Sequence, residues 1–495
     1  MKALVINYLI PMIASLLFPY QGHALEQWTK EIRKNAKPSI VNIFTSLKVG
    51  LDYEIPGSFS GTGSVVDAKR GIILTNKHVT GTGPQRTLEV SFSSGEAASA
   101  KLIYFHPWHD FAFIQVDPKL LSYTKITEVI LGDFSTLEEG DEVLQIGNTE
   151  SNPYSMSKLE VSNLFRNQNV SKPSYRHTHL IHLSGVIAGG ASGSPIFNRK
   201  GNVIALLNSG METQTYALRI DYVKDVLTVL QKGEYPSHGD LLVQFDAPEI
   251  KNLFTHYPPN RHINSWLSQA KSSKPAVKNY IMVKSIIPES PASKKLQVGD
   301  IVMGVHRKEN DPPTFIGNNL YLLDQLVDQQ LGKSIFFRVF RAGQMIENIE
   351  IPVQNASQFL VNNYCTFGHT TFHNLDANIA LFLGIPLGGV YISEAIEGKS
   401  AFASILALKY RSDHHRKDFG KRSAILSKID HFSISSMKDF EKAIGALSKS
   451  ETYKTLALFR DYLQYYPGLR SDIVTLDFET DSIQCKTRNI DFQWK

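Results

Sequence analysis

The chain has 495 residues, enough for roughly two to four domains at ~100–200 residues each. Its 42% hydrophobic and 20% charged content is that of a soluble globular protein and excludes a disordered or fibrous chain. A net charge of +5, carried by scattered basic residues, lacks the concentrated basic stripe of a nucleic-acid surface, so no nucleic-acid partner is expected.

Residues 1–24 read as a secretory signal. Lys2 supplies a basic start, Ala3 to Phe18 is apolar, and Gly22-His23-Ala24 places small residues where a signal peptidase cuts. The apolar run is shorter than the ~20 residues a spanning helix needs. The expectation is therefore cleavage after Ala24, an exported chain (periplasmic if bacterial), and no stable membrane span afterwards. Leu25 to Ala36 reads as a short amphipathic helix carrying Trp28 and Ile32, stopped by Pro38. From Ser39 to about Ile220, short apolar runs alternate with Gly, Asn, Asp and Ser. Gly71–Thr75, Leu88–Phe92, Phe111–Val116, Glu142–Ile146, Leu180–Leu183 and Val203–Leu207 are examples, and the pattern predicts a sandwich or barrel of short strands. A helix follows at about Tyr222–Gln231, then a Gly/Pro/Ser-bearing linker from Lys232 to His238. Residues 25–232 thus form a first domain, and 239–355 and 356–495 two smaller blocks mixing strands with one or two helices.

Three segments of the first domain carry chemistry. They are Gly71-Ile72-Ile73-Leu74-Thr75-Asn76-Lys77-His78-Val79, His109-Asp110-Phe111-Ala112-Phe113-Ile114 and Gly189-Gly190-Ala191-Ser192-Gly193-Ser194-Pro195. A serine hydroxyl is a weak nucleophile and needs a base to take its proton, a role that suits histidine near neutral pH. The base in turn needs an acid to fix its tautomer and stabilise its charged form. His78, Asp110 and Ser192 supply this set, in the chain order of chymotrypsin-like proteases. The backbone N–H groups of Gly190 and Ser192 are the candidate oxyanion hole, with Gly193 expected to permit close approach of the substrate chain. Ser192 is favoured over Ser194 because Gly190, two residues before it, can shape that hole. Val186, six residues before the nucleophile, is the candidate floor of the primary pocket, and predicts cleavage after small or medium aliphatic residues.

With these residues in place the chain resembles the HtrA/DegP family. Gly61-Thr62-Gly63-Ser64-Val65-Val66 with Ile73-Leu74-Thr75-Asn76-Lys77-His78-Val79 is similar to that family's signature around the catalytic histidine. The Ala191-Ser192-Gly193-Ser194-Pro195 form is closer to the fungal, nuclear-type branch than to the bacterial one. The resemblance implies a mainly β fold, a chymotrypsin-like double β-barrel followed by two α+β PDZ-like domains. It further implies serine endopeptidase activity on unfolded or misfolded exported proteins, assembly as a homotrimer through the N-terminal part where Trp28 lies, and no cofactor. The segment Ser46 to Ser60 is too short for a cage-forming loop. The alternative function is a catalytically silent peptide-binding chaperone or scaffold.

The later blocks carry weaker motifs. Glu289-Ser290-Pro291-Ala292 through Leu296 to Gly299-Asp300-Ile301-Val302 resembles a PDZ consensus, followed by a helix-like stretch at Leu320–Leu331 and a strand at Ile335–Arg341. At the carboxylate-loop position stands Gly239-Asp240-Leu241-Leu242, without the usual glycine pattern. Leu383-Gly384-Ile385-Pro386 and the strand Ile425–Phe432 mark the second, more divergent module. There Thr366-Phe367-Gly368-His369 is either a peptide-binding loop or a plain turn. His177, His179 and His182 have no acidic or Cys neighbours in sequence and read as sheet residues, so no metal site is expected. The basic His414-His415-Arg416-Lys417 reads as a solvated loop. Cys365 and Cys485 are read as two free thiols, a single bridge remaining open.

Overall fold

A computed structural model describes residues 27–495 apart from 53, 55, 150–151, 168–175, 186, 212–213, 258–259, 274–276, 310, 396–398, 401, 403–422, 450–451, 464–465, 479–481 and 489–495. The signal segment, Val186 and the basic cluster at 414–417 lie outside the described residues.

Helix α1 (Gln27–Ala36) leads into a first closed barrel. Its strands are β1 (Ile40–Leu47), β2 (Gly57–Asp67), β3 (Ile72–Thr75), β4 (Arg86–Ser91), β5 (Ala97–Phe105) and β6 (Ala112–Gln115), with the single-turn helix α2 (Lys77–Thr80) after β3. A second closed barrel follows, of β7 (Glu142–Thr149), β8 (Asn152–Asn167), β9 (His179–Ser184), β10 (Pro195–Phe197), β11 (Val203–Met211) and β12 (Gln214–Arg219), then helix α3 (Asp221–Gln231). The fold is mainly β with two closed barrels: the strand pattern had left a sandwich or a barrel open, and the double barrel is the one the family resemblance implied.

The side-chain alternation of a strand explains the core. On β3, Ile73 points into the first barrel with Val41, Val65 and Ile114. Its neighbours Ile72 and Leu74 join Phe111, Phe113, Leu144 and Leu180 in the layer between the barrels, under Val223 and Val226 of α3. Both faces of β3 are buried, which is why it reads as an unbroken apolar run. Trp28 and Ile32 of α1 belong to this same layer, and the Arg199 guanidinium lies 5.5 Å over the Trp28 ring.

Residues 239–355 fold as β13 (Gly239–Asp240), β14 (Val243–Asp246), α4 (Ile250–His256), α5 (Arg261–Ser272), β15 (Met282–Ile286), β16 (Ile301–His306), α6 (Leu320–Asp328), β17 (Ser334–Arg341), β18 (Gln344–Pro352) and β19 (Gln354–Asn355). Strands β14 to β18 form one antiparallel sheet in chain order, and β13 pairs with β19, so the two ends of the module meet. The helices α4 and α5 stand between β14 and β15, where the sequence pattern had placed none.

The last module holds β20 (Asn363–Phe367), β21 (Thr370–Asn374), α7 (Ala377–Leu383), β22 (Val390–Ala395), β23 (Ser423–Ile429), β24 (Phe432–Ser433), α8 (Met437–Leu447), β25 (Thr452–Leu463), β26 (Tyr466–Asp477) and β27 (Gln484–Thr487). Two expectations change here. Cys365 and Cys485 are not free thiols: they sit opposite each other on β20 and β27 and form a disulfide, a proximity that their separation of 120 residues hides. Gly368 and His369, with φ of 54° and 55°, are the two central residues of a tight hairpin turn between β20 and β21, so this stretch is a plain turn. No helix among the described residues is long and apolar enough to cross a membrane.

Both modules dock onto the barrels. The short β1–β2 connection meets the last module: His373 Nε2 accepts from Asp52 N–H at 3.1 Å, Ser393 Oγ donates to the Gly50 carbonyl at 3.1 Å, and Val49 and Leu51 pack with Val361 and Tyr364.

Candidate active site

The cleft residues are placed by strand pairing. β3 and β6 are antiparallel neighbours, with Thr75 opposite Ala112. The residues just beyond β3 and just before β6 therefore emerge together, which brings His78 on α2 to Asp110. The His78 ring Nδ1 lies 2.6 Å from Asp110 Oδ2, and the His78 backbone N–H donates to Asp110 Oδ1 at 2.9 Å. Asp110 is fully buried, whereas the His78 side chain keeps 40% of its surface open. Burial alone would raise the Asp110 carboxyl, but the His78 ring, its two hydrogen bonds and the nearby Lys77 ammonium outweigh it and hold the group below the ordinary carboxylate range.

Further polar residues lock this pair. Asn76 Nδ2 donates to the Asp110 carbonyl at 2.8 Å, and Asn208 Nδ2 reaches Asp110 Oδ2 at 3.4 Å. Lys77 is buried with its ammonium on the His106 and Pro107 carbonyls, both at 3.2 Å, and burial lowers its pKa.

Ser192 lies in the turn between β9 and β10, and Thr62 of β2 clamps that turn across the barrel boundary. Thr62 N–H donates to the Ser192 carbonyl at 2.8 Å, while its hydroxyl donates to the Gly190 carbonyl at 3.2 Å and accepts from Asn148 N–H at 2.9 Å. Gly190 takes a φ of 87°, open to glycine at little cost. Among the described residues no backbone carbonyl takes the N–H of Gly190 or of Ser192. Both donors remain open for a ligand oxygen.

Gly193 has a structural reason that the sequence did not show. Its φ is 83°, and a Cβ there would lie 2.1 Å from the Thr62 carbonyl, so glycine lets the two barrels touch at this point. Ser194 is buried and fully engaged: its hydroxyl donates to the Ala191 carbonyl at 2.6 Å and accepts from Gln145 Nε2 at 2.9 Å. Ser192 is partly exposed. Among the described residues no hydrogen bond joins the Ser192 hydroxyl to the His78 ring, a contact that is often long in sites without substrate.

Two of the three neighbouring histidines are sheet residues, as the sequence pattern predicted. His179 and His182 lie on β9, the first against Phe165 and the second stacked on Tyr216. His177 precedes that strand, and its Nε2 lies 3.0 Å from Asp324 Oδ1 of α6. The acid that the sequence neighbourhood lacked comes from the next module. Arg176 bonds Asp240 at 2.6 Å, and Asp240 itself accepts from Leu242 N–H at 2.7 Å, so an internal carboxylate fills that loop. Among the described residues the one cluster of His, Cys, Asp or Glu tight enough for a metal is Cys365, Glu441 and Cys485, whose thiols are already bridged.

Residues 61–206 match the family model of a trypsin-like peptidase domain. The chain is 30% identical over 374 residues to the pro-apoptotic serine protease nma111 of Aspergillus terreus, covering 74% of this chain and 35% of the relative. It is 28% identical over 392 residues to the Pyricularia oryzae protein of the same name, covering 78% and 36%. Residues 61–206 thus resemble a trypsin-like serine protease, and the chain as a whole is similar to these fungal serine proteases. The chain spans about a third of the length of those relatives, 35% in the first case. Among solved structures, the HtrA-type protease AlgW with tripeptide is 21% identical, with a TM-score of 0.48, covering 66% of this chain and 97% of that one. Of the residues that build the candidate site, Thr62, Asn76 and Asn208 were not singled out in the sequence, although Thr62 and Asn76 lie inside the motifs that carried the resemblance.

Proposed function

We propose that this chain is a serine endopeptidase in which Ser192 attacks the scissile carbonyl, His78 takes its proton, and Asp110 holds and stabilises the imidazolium. The carrying observation is the buried Asp110 carboxylate bonded twice to His78, 2.6 Å from the ring nitrogen. An acid so placed fixes Nδ1–H and leaves Nε2 as the base. The open N–H groups of Gly190 and Ser192 receive the oxyanion of the tetrahedral intermediate. The acyl-enzyme then yields to water by the same acid–base cycle.

The substrates we infer are unfolded or misfolded polypeptides in an exported compartment, cleaved after aliphatic residues if Val186 floors the pocket. The Cys365–Cys485 disulfide supports an oxidising location. Assembly as a homotrimer is part of the same proposal and rests on family likeness. Casein degradation by the purified chain, beside Ser192→Ala, tests the reading. Activity that survives Ser192→Ala, or that EDTA abolishes and a divalent ion restores, refutes it. A native chain that neither degrades casein nor reacts with a fluorophosphonate would be a peptide-binding scaffold instead.

A further inference from the structure

We propose that Asp324, on α6 of the module 239–355, is a positioning residue for the hydrolysis: through His109 it fixes the turn that presents Asp110. The inference rests on the roles given above to His78, Asp110 and Ser192.

His109 is fully buried and directly precedes Asp110. Its Nε2 lies 3.2 Å from Asp324 Oδ2, and its Nδ1 lies 2.9 Å from the Thr178 hydroxyl. The second Asp324 oxygen takes His177 Nε2 at 3.0 Å. Burial would raise the Asp324 carboxyl, but His177 and the hydrogen bonds from His109 and His177 hold it well below the usual carboxylate range. Asp324 is thus an anion that accepts from both rings. His109, by contrast, is lowered by burial to about 4 and stays neutral near pH 7, with Nε2–H toward Asp324 and Nδ1 accepting from Thr178.

The backbone carries this constraint to Asp110. The His109 carbonyl accepts from Phe111 N–H at 2.9 Å, so Asp110 is the middle residue of a closed three-residue turn. The His109 N–H is fixed as well, on His106 Nδ1 at 3.0 Å, and His106 N–H bonds the Phe111 carbonyl at 3.1 Å. A turn closed on both sides of Asp110 moves as one piece. If the His109 ring swings, the Asp110 carboxylate swings with it, away from His78. Losing ~1 Å of alignment at a reacting group can cost about 100-fold in rate. The barrels thus do not hold Asp110 alone; part of its frame comes from a residue 215 positions from His109 in sequence.

The test is a double-mutant cycle in the full chain: Asp324→Asn, His109→Asn and both together, with kcat and KM on a short quenched peptide and the melting temperature of each. If Asp324 acts through His109, Asp324→Asn lowers kcat by about 10–100-fold while KM stays within about twofold. The double variant is then no slower than His109→Asn alone. Should Asp324→Asn fail to fold, Asp324→Glu keeps the charge but shifts the carboxylate by a methylene, and is expected to fold with reduced kcat. A native kcat in Asp324→Asn (or in Asp324→Glu where only that variant folds), or losses that multiply in the double variant, overturns the proposal while leaving the triad standing. A Ser192→Ala chain that still cleaves would instead remove the triad, and this inference with it.

Discussion

Replacing Asp110 by Asn is the sharpest probe of the site, because it changes charge and hydrogen bonding while keeping shape. The native carboxylate serves two donors, the His78 N–H at 2.9 Å and the ring Nδ1–H at 2.6 Å. An amide has one oxygen, so if it keeps the backbone donor, its NH2 faces Nδ1 and drives the ring to the tautomer that cannot accept the Ser192 proton. Charge is lost as well. At an effective dielectric of about 20, a carboxylate and an imidazolium 2.6 Å apart attract by about 6 kcal/mol. The His78 side chain is 40% exposed, so solvent screens about half of this; about 3 kcal/mol remains, or roughly a hundredfold in rate. With the tautomer penalty the expected loss in kcat/KM is about 10³–10⁴-fold at pH 7.5. Hydrolysis of a quenched peptide gives the rate, and fluorophosphonate labelling of Ser192 reports the nucleophile separately. A folded Asp110→Asn enzyme within about tenfold of native kcat/KM would refute the reasoning, since no triad tolerates that change so well.

The two serines should behave oppositely: Ser192→Ala abolishes turnover and keeps the native melting temperature. Ser194→Ala strands the Gln145 amide, while the Ala191 carbonyl keeps the Ser194 backbone N–H, costing about 1–3 kcal/mol of stability while peptide cleavage persists. Acid stability tests the buried His179, which burial pushes down to about 3 from 6.5. The folded protein disfavours its charged form, so below pH 6.5 the unfolded chain binds the proton first and stability falls with falling pH, by about 1.4 kcal/mol per unit until pH nears 3. His179→Gln should therefore lose melting temperature less steeply than the native chain between pH 7 and 4.5, and equal slopes would contradict this. Reduction of Cys365–Cys485, which closes 120 residues, should cost about 4–5 kcal/mol in the last module, read as a lower calorimetric transition in reductant; an unchanged melt would show that β27 is held by packing instead.

What the sequence showed depended on whether the relevant physics is local. β3 and β6 were visible because both faces are buried along Ile72-Ile73-Leu74 and Ala112-Phe113-Ile114, three apolar residues in a row in each strand. β5 and β8 were not: β5 begins Ala97-Ala98-Ser99-Ala100, and only Leu159, Val161 and Leu164 of β8 are deeply buried. The α5 signal was present but passed over. Ile263, Trp266 and Ala270 recur at helical spacing and are buried, after Asn260, whose side chain accepts from the His262 and Ile263 N–H groups. His78, Asp110 and Ser192 were legible because each is flanked by its own strand or glycine turn. Thr62 and Asn208 were not, since their value comes from contacts across the barrels. The free-thiol reading failed for the same reason, as no local pattern announces that β20 pairs with β27.

Dependence on distant partners reaches its limit at the turn 106–110. Lys77 supports its carbonyls from the first barrel, Asp324 holds His109 from the module 239–355, and Asn378 of α7 donates to the Pro107 carbonyl at 3.2 Å while accepting from Arg176 at 2.7 Å. Each bond satisfies a buried polar group that would otherwise cost about 1–3 kcal/mol. Undocking either module exposes or orphans several of them at once, so the turn cannot keep its shape on the barrels' account alone. Asp110, the acid of the proposed triad, is thus framed by modules that come later in the chain. The Arg176–Asp240 bond extends the same frame to the loop where a peptide carboxylate would otherwise be sought. There Asp240 takes both the Leu242 N–H of its own loop and the Arg176 guanidinium from before β9, so the contact between module and barrel is built into the loop itself.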